Sequence, residues 1–294
     1  MVNLFLPDFY FNSRMNQAFI ELKEKSPEKF YDGCNIKAVY GVFPTCIWNG
    51  EVYSIAGADN DNIKKTTEWY NDRGVSLINE FTNCSILPFH LYDNTSNIYC
   101  RIMENNMNYC NVVSDILKDY ISSSYPKFKI ISSSAKQIWD MKDLEQELAC
   151  DDFAYVIANP VFNYNENIIN INNKEKIILV ANSAHKYSCP NDSQRCRYMS
   201  QMQLDYGLVP DVSNSFPCVD CRAVLDSFYD VMRNRKHFIS NDDMYGKFQD
   251  AGITNFYIYG RGYNTFDILE AYIYYMIKPE YQDHTRLQMM IHLE

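Results

Sequence analysis

Residues 176–181 read KIILVA: after Lys176, five apolar side chains, Ile177, Ile178, Leu179, Val180 and Ala181, follow without a polar interruption. A strand with one wet face alternates apolar and polar positions. An unbroken apolar run of this length, rich in β-branched residues, marks a strand buried on both faces, as in a parallel sheet covered by helices. Short runs of the same kind lie on either side of it. Upstream are Ile36 to Phe43, Val75 to Phe81, Phe128 to Ser132 and Ala154 to Ala158; downstream are a weak run near Ser215 to Cys218, Lys236 to Ile239, and Asn255 to Tyr259. Stretches of helical period separate them, among them Asn62 to Asp72, Val112 to Ser122, Asp140 to Leu148, Arg222 to Arg233, Asp242 to Asp250 and Phe266 to Ile277. Eight strand–helix units in repeating order predict a parallel sheet that closes on itself. The predicted fold is α/β, a (β/α)8 TIM-barrel-like single domain over residues 1–294. Residues 1–35 are read as an N-terminal extension and 36–278 as the barrel. The weak sixth run leaves an incomplete or irregular barrel as the alternative.

Composition agrees with a globular core. The 294 residues are 47% hydrophobic and 22% charged, and a chain this long buries enough surface to need no staples. The net charge of −10 disfavours extended nucleic-acid binding, which depends on clustered cations. No run approaches the roughly 18 apolar residues of a membrane helix. The first residues carry Asp8 inside their apolar portion and lack a basic segment, so they do not read as a secretory leader. Ten cysteines without such a leader point to a reducing compartment, the cytoplasm.

In a barrel of this kind the chemistry sits on the loops that follow the strands. The polar residues there are Asn49 and Glu51, Glu80 and Asn83, Ser132 to Ser134, Asn159, Asn182 and His185, Asn241 to Asp243, and Arg261. Each is equally a residue type that caps helices and shapes turns. Three stand out. Glu80 interrupts an apolar strand and needs a partner there, as a general base, a ligand, or the mate of Arg261. His185 is the best placed of the five histidines for proton transfer. Arg261 stands between Gly260 and Gly262, where the backbone approaches closely and a guanidinium suits a carboxylate or phosphate; the alternative is an ion pair that ties the rim. Tyr259 belongs to the same strand end. Four cysteines gather in one window: Cys189 and Cys196, then Cys218 and Cys221 as a C-x2-C pair. Thiolates so grouped bind zinc or an iron–sulfur cluster, or stand as free thiols.

From Asp243 through Arg261 the chain resembles the collagenase-like peptidase U32 family: a helix (Asp243-Met244-Tyr245), an Ala251-Gly252-Ile253 turn, the strand Asn255 to Tyr259, and the pair Gly260-Arg261. A Tyr-rich helix face follows, with Tyr272, Tyr274 and Tyr275. The resemblance is clearest over 236–278 and suggestive over 176–221. It implies a barrel-like α/β domain and a 4Fe–4S cluster on Cys189, Cys196, Cys218 and Cys221. It also implies a hydroxylation-type modification of an RNA base or a small aromatic substrate, or peptidase activity. Two departures are visible: the cysteine spacings differ beyond the first pair, and Val39 to Pro44 replaces a glycine-rich first strand.

The leading functional expectation is therefore an iron–sulfur-dependent modification enzyme. Arg261 holds an acidic group of the substrate, Glu80 or His185 moves protons, and Asn83, Asn159, Asn182 and Tyr259 bind substrate. The alternatives are a metal-independent barrel (a peptidase, hydrolase or lyase) that binds a small anionic ligand, and a non-catalytic scaffold; in place of the 4Fe–4S cluster the cofactor alternatives are zinc or none.

Overall fold

Eight parallel strands close into a barrel in chain order in the computed structural model, which describes residues 1–50, 57, 59–183, 192–205, 227–260 and 263–293. The strands are β1 (Val2–Pro7), β2 (Cys34–Gly41), β3 (Ser76–Phe81), β4 (Tyr109–Val112), β5 (Lys129–Ser132), β6 (Tyr155–Ile157), β7 (Ile177–Val180) and β8 (Asn255–Tyr257). The described α-helices are α1 (Ser13–Lys25), α2 (Asn60–Asn71), α3 (Asn94–Met103), α4 (Asp115–Ser124), α5 (Met141–Ala149), α6 (Asp192–Leu204), α7 (Phe228–Asn234), α8 (Thr265–Met276) and α9 (Gln282–Leu293). The expected (β/α)8 architecture is what the chain adopts.

Burial explains why the strands read as unbroken apolar runs. All six residues of β3 are buried. Leu77 and Phe81 pack outward against the helices, while Ile78 joins Phe5, Tyr40, Tyr109, Ile131, Ile178 and Tyr257 inside the barrel. Side chains alternate along a strand, so Glu80, two residues after Ile78, belongs to the inward set at the end where β3 runs out. The helices begin at that same end with polar caps. Asp59 accepts from the Asn62 amide, Asp93 from Ser96, Ser114 from Leu117 and Asn264 from Asp267, which satisfies first-turn N–H groups.

The count of eight is right, but its members are not all those expected. Residues 2–7, read as part of an N-terminal extension, form β1 and close the barrel by pairing with both β2 and β8. Asn3 broke the apolar pattern there. In the fold it pairs with Asn35 and Asn255. Asn35 Nδ2 donates to Asn3 Oδ1 (2.8 Å), Asn3 Nδ2 donates to Asn255 Oδ1 (2.9 Å), and Asn255 Nδ2 donates to the Glu175 carbonyl (2.9 Å). These amides satisfy one another across the closing seam, so polar residues cost little there. Strand β4 was not expected and meets the predicted helix Val112 to Ser122 only at Val112: its four residues are too few to show a period, and α4 follows after two residues.

The strand expected at Lys236 to Ile239 is absent. Its place is taken, because β7 pairs directly with β8, Ile178 opposite Asn255 and Val180 opposite Tyr257. Of the expected strand, Ile239 alone makes such a bond, its amide donating to the Ala181 carbonyl (2.8 Å). The weak run near Ser215 to Cys218 lies outside the described residues.

His237, in this crossing segment, gives the fold a pH dependence. It is 3% exposed, and its Nε2 donates to the Ser183 carbonyl at 3.0 Å. Among the described residues Nδ1 finds no partner. Burial lowers its pKa below the ordinary 6.5, with the Arg235 charge adding to the shift and the Ser183 bond opposing it. A histidine with a depressed folded pKa favours the neutral form, so the unfolded chain takes up a proton first as pH falls below about 6.5. Stability is therefore lost as pH drops from about 6.5 through the folded pKa. Urea midpoints measured from pH 7.5 to 5 are expected to fall less steeply in His237→Gln than in the parent. Parallel curves would show that His237 does not couple to folding.

Candidate functional site

A cavity of about 340 Å³ opens at the end of the barrel where the strands run out, lined by residues that include Asp8, Tyr40, Asn49, Glu80, Gly260 and Asn264. Three connections build its walls: those after β1, after β2, and between β8 and α8.

Glu80 is the polar centre of this mouth. It is 2% exposed, and Asn111 Nδ2, from the neighbouring strand β4, donates to its Oε1 at 3.1 Å. The Tyr257 hydroxyl donates to the same oxygen at 3.5 Å. Tyr257 stacks on Tyr40 with ring centroids 3.9 Å apart, and burial raises its hydroxyl pKa well above the ordinary value, so it stays a donor. Tyr40 is itself pinned, donating to the Ile258 carbonyl (2.8 Å) and accepting from the Gly260 amide (3.2 Å). A carboxylate carried on a strand and oriented by donors from two other strands is held far more firmly than one on a loop. Asp8 adds a second acid. It has φ 58°, and its Oδ1 accepts from the Tyr10 and Phe11 amides at 3.0 and 2.8 Å, which turns the chain from β1 towards α1.

Gly260 explains the glycine before Arg261. A Cβ there would lie 2.5 Å from Cβ and Cγ of Pro7, so β1 and the exit of β8 touch backbone to ring. Gly260→Ala is expected to cost about 1–3 kcal/mol through this overpacking, read as a lowered urea midpoint. An unchanged midpoint would mean that the seam opens without cost.

The other predicted residues divide. Asn182 is fully buried and clamps the Tyr259 backbone, donating from Nδ2 to the carbonyl (2.9 Å) and accepting at Oδ1 from the amide (2.7 Å). Asn83, also fully buried, donates to the Ile47 and Ser200 carbonyls at 2.8 and 3.1 Å. Asn159 caps the turn after β6, accepting from the Val161 amide. These three amides thus hold loops in place. Tyr259 packs edge-on against Tyr263, which lines the mouth. Arg261, His185, Glu51, Cys189, Cys218 and Cys221 lie outside the described residues. Cys196 is described, on α6, and its thiol donates to Cys84, the largest cause holding the Cys84 thiol below the ordinary cysteine value, with Ser200 and Ser85 adding to it against desolvation. Among the described residues no group of three or more His, Cys, Asp or Glu is arranged to hold a metal ion.

Asp8, Tyr40, Asn111 and Asn264 escaped the sequence reading. The first had a signal: Pro7-Asp8 ends an apolar run as a strand's last residues do, once residues 2–7 are taken as a strand.

No described helix is long and apolar enough to cross a membrane. No protein-family model and no curated protein matches the chain. A solved structure titled "The Structure of the U32 Peptidase Mk0906" does match, with 12% sequence identity and a TM-score of 0.51, over 88% of this chain and 92% of that one. At that identity the likeness is one of fold. The helix, Gly252 turn at φ 88°, strand and helix that carried the resemblance are present as the helical run 241–250, β8 and α8. This chain shares the barrel architecture of a U32 peptidase.

Proposed function

We propose that the chain is a proton-transferring enzyme on a U32-type barrel, acting in the cytoplasm on a small substrate that carries an acidic group. The observation that carries this reading is Glu80: a buried carboxylate, oriented by Asn111 and Tyr257, at the edge of the mouth cavity. The substrate sits against Tyr40, Glu80 takes a proton from it or from the water that attacks it, and Arg261, next in the chain to the cavity residue Gly260, holds the acidic group. In the buried mouth a proton moves over a short, fixed path.

The reaction class is testable without the natural substrate. A panel of small carboxylates, including pyruvate, malonate and benzoate, is incubated with the protein in D2O and followed by proton NMR. Line broadening or saturation transfer on at least one member is expected, together with catalysed exchange of its activated C–H protons where it has them. Arg261→Met is expected to abolish binding. A panel that shows neither binding nor exchange sinks the reading.

A second reading, a 4Fe–4S enzyme hydroxylating an RNA base or small aromatic substrate, is supported by the sequence clustering of Cys189, Cys196, Cys218 and Cys221 and by the U32 resemblance. Of these four cysteines, Cys196 is the one among the described residues. Anaerobic purification with iron, sulfide and visible-absorption measurement decides it: a brown protein with iron and sulfide favours this reading, and a colourless, metal-free one removes it.

A further inference from the structure

A second cavity, about 590 Å³, lies apart from the mouth and shares no lining residue with it. It opens between the connections after β3, β4 and β5 and the helix α6, and its lining includes Cys84, Lys136, Gln137, Cys196 and Arg197. The two thiols are brought together here from distant parts of the chain. Cys84 is exposed and Cys196 half-buried, and both line this one cavity.

Their meeting is fixed by a clip one helical turn away. Ser200 follows Cys196 by four residues on α6, on the same face. Its Oγ accepts from the Cys84 amide (3.1 Å) and lies 3.4 Å from Cys84 Sγ, while its carbonyl accepts from Asn83 Nδ2 (3.1 Å). Behind the clip, Gly50 packs so closely that a Cβ would lie 2.5 Å from Ser200 Oγ and 2.6 Å from Asn83 Cα. The loop after β3 and α6 therefore cannot drift apart without disturbing buried contacts. Four of the other described thiols are sequestered: Cys34, Cys46, Cys100 and Cys110 are buried, while Cys150 is half-buried, and burial pushes Cys34 up to about 11 and Cys46 up to about 12.

We propose that Cys84 and Cys196 form a reactive dithiol site that reduces hydroperoxides and closes to a disulfide. Cys84 sulfur attacks a peroxide oxygen, the O–O bond breaks, and Cys84 sulfenic acid forms with release of water (an alcohol from an organic hydroperoxide). Cys196 sulfur then attacks the Cys84 sulfur, the S–S bond forms, and the S–OH oxygen leaves as a second water with the thiol proton. Two thiols and one hydrogen peroxide give one disulfide and two waters, a two-electron oxidation. The closed form ties α6 to the loop after β3.

The test uses the full-length chain, reduced, desalted and treated with hydrogen peroxide in small molar excess. Free thiols are then alkylated and peptides mapped without reduction. A Cys84–Cys196 crosslinked peptide that dithiothreitol reverses is expected, with a rise in thermal midpoint of about 5 °C from the long loop it closes. In Cys196→Ser, Cys84 is expected to accumulate as sulfenic acid, trapped by dimedone; in Cys84→Ser neither product forms. Both variants should keep the parent's thermal midpoint within a few degrees, because neither thiol is in the apolar core. Recovery of Cys84 and Cys196 as alkylated thiols after peroxide overturns the proposal. So does a crosslink of either to another cysteine, or a Cys196 held by metal and unreactive.

Discussion

Glu80→Gln is expected to lower the catalysed exchange rate on the responding carboxylate by about 10²–10⁴-fold, the range a positioned general base supplies, and to leave the fold in place. The substitution is nearly isosteric. The amide oxygen still accepts from Asn111 Nδ2 and from the Tyr257 hydroxyl, the two donors directed at Oε1. The thermal midpoint of the variant should stay within a few degrees of the parent. Binding of the carboxylate, read by saturation transfer, should persist, since the acidic group is assigned to Arg261. The opposite pattern, a large drop in midpoint with exchange unchanged, would make Glu80 a structural acid and remove it from the mechanism.

Arg286→Met should destabilise the chain by about 3–5 kcal/mol, the usual cost of stripping one partner from a buried charge pair, with a fall in thermal midpoint on the order of 10 °C. Arg286 lies on α9 and reaches Glu270 of α8, which is 2% exposed at its side chain. The contact is bidentate: Nε to Oε1 at 2.7 Å and one terminal nitrogen to Oε2 at 2.9 Å. The Tyr229 hydroxyl of α7 donates to the same carboxylate, so the pair joins three helices. Removing the guanidinium leaves Glu270 with one donor and an uncompensated charge. The double variant Glu270→Gln/Arg286→Met removes that charge and is expected to recover most of the loss. If the double variant is no more stable than the single one, the cost lies in lost packing of the arginine stem rather than in the stranded carboxylate.

The barrel was readable because its strands are buried on both faces. Ile177 to Val180, Ser76 to Phe81 and Asn255 to Tyr257 have nearly every residue buried, so local sequence carried the signature. Glu80 was readable for the same reason, as a charge in an apolar run. The supporting amides were harder. Asn83, Asn159 and Asn182 have the composition of binding residues, and only their contacts show that they fasten backbone. The expected strand at 236–239 was an apolar segment buried by other means: Phe238 packs among Phe228, Tyr274 and Tyr275.

By itself the sequence determined the class of fold, the end of the barrel where polar groups collect, and the buried acid at that end, because each is written in the periodicity of a few adjacent residues. The tertiary structure decided which segments close the ring, with Asn3 meeting Asn35 and Asn255 across the seam. It also decided which donors orient Glu80, and that Cys84 meets Cys196 while Arg286 meets Glu270. Those pairings join residues far apart in the chain, where local pattern records that a side chain is buried but not what it is buried against.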